Sequence, residues 1–144
     1  MGAVDRVVRA AVFRLFIAGV DGPTRDDLAE ETGLEADEVA RSLLRLADEH
    51  RLTLSTARDR VVMAHPFSGV STDYRSRIGT RTWWANCGWD AFAILALLGD
   101  GEVVAKSGDE IESVWTVADG VVTPSGLVHF VVPASQFWDD IALT

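Results

Sequence analysis

The chain has 144 residues, 48% of them hydrophobic, and a formal charge of −9 from 22 acidic and 13 basic side chains. That length suits one ordinary domain or two small ones, and the hydrophobic content excludes general disorder. The acidic balance repels a phosphate backbone unless cations cluster, and the longest apolar run, Ala91 to Leu98, is too short to span a bilayer.

The N-terminus shows no basic region followed by a long apolar stretch, so no secretory signal is expected. Cys87 is the single cysteine, which excludes an intramolecular disulfide and fits a reducing, cytoplasmic setting. Val4, Val7, Val8, Ala11, Val12, Leu15 and Phe16 recur at helical spacing and predict a first helix, broken by Gly19 to Pro23. Thr24 reads as an N-cap with Asp27 three residues on, a short-armed capping box. It opens a second helix that stops near Gly33. Val39, Leu43, Leu44, Leu46 and Ala47 define a third helix, with Glu35, Asp37 and Glu38 at its positive end. Arg51–Ser55 and Val61–Ala64 read as short strands around a polar turn.

Three helices and a β-hairpin make a winged helix-turn-helix, and the order from Thr24 to Leu34 has the look of that unit. DNA binding would run through the third helix. Against it, Glu35, Asp37, Glu38, Asp48 and Glu49 outnumber Arg41 and Arg45 there, so nucleic acid is not the expected partner. Arg58, Arg60, Arg75, Arg77 and Arg81 gather in mid-sequence but alternate with Asp59 and Asp73. The unit is taken as residues 1–66, with an extended polar link over 67–82 and a second unit over 83–144.

The second unit begins with Trp83-Trp84-Ala85-Asn86-Cys87-Gly88-Trp89-Asp90, followed by an apolar run ending at Gly99. That run predicts a buried helix with a C-terminal stop. Cys87 falls at the helix start, where unpaired N–H groups and the dipole favour a thiolate. Asp90, one turn later, faces the same side. A nucleophile and a proton-carrying carboxyl would share one pocket. The plainer reading makes Cys87 a small buried hydrophobe and Asp90 a helix-start carboxylate. Trp83, Trp84 and Trp89 either wall off water and accept an organic group or serve as core aromatics. His50, His65 and His129 lack metal-ligand spacing, and none is expected to be a ligand. Glu102–Ala105, Val114–Val117 and Leu127–Val132 read as strands separated by turns. The fold class is therefore α+β: a winged-helix-like unit, then a small sheet carrying one buried helix.

At these residues the chain resembles the alkylmercury (organomercurial) lyase family. The resemblance runs through the N-terminal unit, the Trp84–Asp90 segment with the helix ending in Leu97-Leu98-Gly99, and the strand ending at Val132-Pro133. It implies that Cys87 and Asp90 are catalytic and also hold mercury, with Trp84 and Trp89 against the organic group. It implies protonolysis of a carbon–mercury bond, giving a hydrocarbon and Hg(II) bound as product, with no other cofactor required. An organomercurial and thiol reductants would be the partners, no membrane is implied, and an open sheet edge makes a homodimer conceivable. The family uses a second cysteine, expected after the segment corresponding to Phe137–Ile141, and this chain has none. The expectation is binding with poor cleavage, from a chain cut short before that residue or a shortened relative. The alternative is a winged-helix regulator or thiol-based metal sensor.

Overall fold

A computed structural model describes residues 1–106 and 111–127, together with Pro133, Gln136 and Trp138. Helix α1 spans Ala3–Ala18 and buries Val8, Ala11, Val12 and Phe16, the apolar face set by its periodicity. Gly19, at φ 95°, ends it in the left-handed conformation that glycine adopts without a side-chain clash. Helix α2 covers Arg25–Thr32. Its capping box closes fully: Asp27 N–H donates to Thr24 Oγ1 at 3.1 Å and Thr24 N–H to Asp27 Oδ2 at 2.8 Å. The box holds the Asp27 carboxyl below its usual range, chiefly through the Thr24 hydroxyl.

Helix α3 spans Ala36–Asp48 and is tied to α1 by Asp5. Asp5 accepts from Ser42 Oγ at 2.8 Å, from Arg45 Nη2 at 2.7 Å and from the Gly2 backbone N–H at 2.9 Å. Asp5 is covered but peripheral, and these donors, Arg45 foremost, hold its carboxyl well below the usual range. One of the two arginines of α3 is thus committed to packing.

Strands β1 (Thr53–Leu54), β2 (Val61–Ala64) and β3 (Phe67–Ser68) form an antiparallel sheet in that order. Gly69 lets three chain segments meet: a Cβ there would strike Val61 O and Gly22 Cα.

The second sheet has the order β5-β4-β6-β7-β8, with every neighbouring pair antiparallel. Its strands are β4 (Tyr74–Ile78), β5 (Arg81–Trp84), β6 (Gly101–Lys106), β7 (Glu112–Ala118) and β8 (Val121–Thr123). Residues 67–82 are therefore mostly strand, not the expected link. Their polarity misleads for a physical reason. Arg77 pairs with Glu102 of the adjacent β6 and Arg75 reaches across it to Glu112 of β7, while Ser76, fully buried, donates to Ala91 O at 2.7 Å. These pairings neutralise two of the five mid-sequence arginines, Arg75 and Arg77. Strand β8 lies beyond the expected strands. The expected strand over Leu127–Val132, with His129, falls largely outside the described residues, as does the Ala142–Thr144 end.

Both β5 and β6 are antiparallel to β4, so they run parallel to each other. Helix α4 (Gly88–Leu98) makes the crossover between them and packs on β4 and β6. One core joins the two sheets. Phe67 stacks on Phe16 at 5.5 Å, and its backbone bridges Ala85. Trp83 is buried and donates its indole N–H to Phe16 O at 3.1 Å, which makes it a core aromatic rather than part of a substrate wall. No helix among the described residues is long and apolar enough to cross a membrane.

Candidate functional site

Three segments converge at the mouth of α4. Strand β5 delivers Ala85, Asn86 and Cys87; the first turn of α4 carries Asp90; and the turn between β2 and β3 brings His65. Thr72 steadies the junction, donating from Oγ1 to Ala85 O at 2.6 Å. Gly88 packs over the Tyr74 ring, whose Cε1 lies 3.4 Å from where a Cβ would be.

Cys87 is the N-cap of α4, as the sequence predicts, and it is partly exposed. Its ionisation runs against expectation. Burial raises the thiol pKa above its ordinary value, and the Asp90 charge adds to the effect. The Asp90 and Trp89 backbone N–H groups pull the other way, but no side-chain cap hydrogen bond forms. Burial beside a carboxyl thus disfavours the thiolate that the helix start favours. The helix end alone does not outweigh desolvation beside a carboxylate.

Asp90 points inward and is only 8% exposed. His65 Nδ1 lies 3.0 Å from its Oδ2, and Asn86 Nδ2 donates to the same oxygen at 3.1 Å. The second hydrogen of the Asn86 amide goes to Phe67 O at 3.2 Å. Hydrogen bonding to Asp90 raises the pKa of His65 above its ordinary value, with desolvation opposing. Sequence spacing did not single out His65 or Asn86. His65 stands 25 residues from Asp90, and only the pairing of β3 with β2 and its bridge to Ala85 close that gap.

Trp89 is 59% exposed and Trp84 is half-buried with Arg75 at 5.9 Å from its ring. Both rings therefore leave part of their surface open to solvent. Trp138 stacks on His50 at 4.5 Å and meets His65 edge-on at 6.4 Å, adding an aromatic face on the His65 side. Among the described residues no group of three or more His, Cys, Asp or Glu side chains is placed to hold a metal ion.

No protein-family model and no curated protein matches the chain. Among solved structures, the crystal structure of the mercury-bound form of MerB2 superposes with a TM-score of 0.63, covering 86% of this chain at 21% identity. The chain shares the fold of MerB2. It spans 61% of the length of the MerB2 chain. The likeness to MerB2 bears on architecture, and the α+β class stands with it.

Proposed function

We propose that this protein captures organomercurial compounds on Cys87 and is built for protonolysis of the carbon–mercury bond, with Asp90 as the proton carrier. The observation that carries the reading is a partly exposed thiol at the mouth of α4, one turn from a buried carboxyl, on a fold shared with a mercury-bound structure. Mercury(II) is a soft ion and prefers sulfur over the oxygen and nitrogen donors nearby.

In the first step the Cys87 sulfur bonds to R–Hg–X. The thiol proton leaves toward the Asp90 carboxylate, and X departs as an anion. In the second step the protonated carboxyl gives its proton to the mercury-bound carbon. The C–Hg bonding pair takes up that proton, the hydrocarbon leaves, and Hg(II) stays on Cys87 with Asp90 as a further oxygen ligand. Trp84 and Trp89 flank the organic group. A second thiolate on mercury would push electron density toward the carbon. This chain has one cysteine, so an added thiol must supply it.

The test uses phenylmercury. Mass spectrometry should show one phenylmercury per chain in the wild type and none in Cys87→Ser. Benzene release should be slow or absent without added thiol, faster with excess dithiothreitol, and lost in Asp90→Ala. A Cys87→Ser protein that still takes up phenylmercury stoichiometrically would overturn the reading.

A further inference from the structure

We propose that His65 and Asn86 are positioning residues that grip one oxygen of Asp90 so that the carboxyl presents its other oxygen to the mercury-bound carbon. The inference rests on the function proposed above and extends it to two residues outside the Cys-x-x-Asp segment ends.

Both donors converge on Oδ2, at 3.0 Å from His65 Nδ1 and 3.1 Å from Asn86 Nδ2. Neither engages Oδ1. The orientation of the Asn86 amide follows from its surroundings, since exchanging its N and O would set an oxygen against both Phe67 O and Asp90 Oδ2. That orientation has a cost. Asn86 Oδ1 is shielded from water and finds no hydrogen-bond partner among the described residues. Both of its amide hydrogens are used while its acceptor is left over, which marks Asn86 as a donor to the carboxyl rather than a generic surface amide.

The consequence is chemical. An oxygen that already accepts two hydrogen bonds is a poor place for a proton, so the transferable proton sits on Oδ1. It arrives there from the Cys87 thiol when sulfur bonds mercury. It leaves to the carbon as the C–Hg pair is protonated, and Asp90 returns to a carboxylate. Proton transfer to carbon demands close alignment, and a carboxyl free to rotate spends most of its time misdirected.

Phenylmercury adducts of the wild type, His65→Ala, Asn86→Ala and His65→Asn provide the test. Adduct stoichiometry is read by mass, and single-turnover benzene release is read in excess dithiothreitol. His65→Asn keeps a donor near the Nδ1 position. The expected result is a full adduct in all four proteins. Release should slow by about 10- to 100-fold in the two alanine variants and recover largely in His65→Asn. Equal release rates across the set would overturn the proposal, as would His65→Asn matching His65→Ala, or a wild type that forms the adduct and releases nothing. A wild type that forms no adduct would instead remove the mercury reading itself. Dispersed amide NMR spectra of each variant separate misfolding from misdirection, and Asp90→Asn should shift the Asn86 side-chain NH₂ signals in unliganded protein. Unshifted signals would also sink the grip.

Discussion

At the scale of single residues, the sulfur and the carboxyl constrain each other. Burial and the Asp90 charge both keep the Cys87 proton in place. A raised folded value means that this thiol adds to stability below its unfolded value of 9.0 and loses that contribution as pH rises through the folded value. Alkylation reads the same balance. With iodoacetamide, the pH midpoint for Cys87 modification should lie above that of a free cysteine in the wild type. It should move down in Asp90→Asn, where the charge is gone and the backbone N–H groups still face the sulfur. A midpoint that stays put in Asp90→Asn would show that burial alone sets it. The practical meaning is selectivity: a protonated thiol ignores most electrophiles, whereas mercury displaces the proton directly.

At the scale of elements, caps and close approaches decide where the site sits. Gly69 is the clearest instance, because the backbone of Val61 and Gly22 fills the place where its Cβ would go. Backbone cannot step aside as a side-chain tip can. Gly69→Ala should destabilise the fold by about 1–3 kcal/mol in urea unfolding, with the β2–β3 turn and His65 displaced. An unchanged midpoint would contradict the packing at this contact. Helices α1, α2 and α4 were legible in the sequence because each ends on a glycine, Gly19, Gly33 and Gly99, with the Thr24 cap also opening α2, whereas α3 was read from its apolar spacing and the acidic residues at its start. Strand β4 was not, because its outward arginines find carboxylates on other strands and its inward serine is satisfied by α4. Cys87 and Asp90 were visible as a spacing within one turn. His65 was hidden, because it reaches Asp90 only once β3 has bridged Ala85, while Asn86 meets the same oxygen locally, four residues before it.

At the scale of the whole molecule, acid stability follows in part from two carboxylates of the helical unit, Asp5 on α1 and Asp27 on α2. Asp5 and Asp27 are both held below their ordinary value of 3.8 by hydrogen bonds in the folded state. Lowered folded values stabilise the protein above 3.8, and that contribution is lost as pH falls through the folded values. Unfolding free energy should therefore decline below about pH 4, and Asp5→Asn should be less stable than wild type at pH 7 with a shallower acid decline. Parallel declines in the two proteins would remove Asp5 from the explanation.

The candidate site is also a seam. His65 belongs to the small sheet, Asp90 to the helix laid across the large one, and the Phe67–Ala85 bridge stitches the two together. On the function proposed above, neither lobe holds a finished proton-delivery device on its own, and slippage along the stitch would disarm the carboxyl.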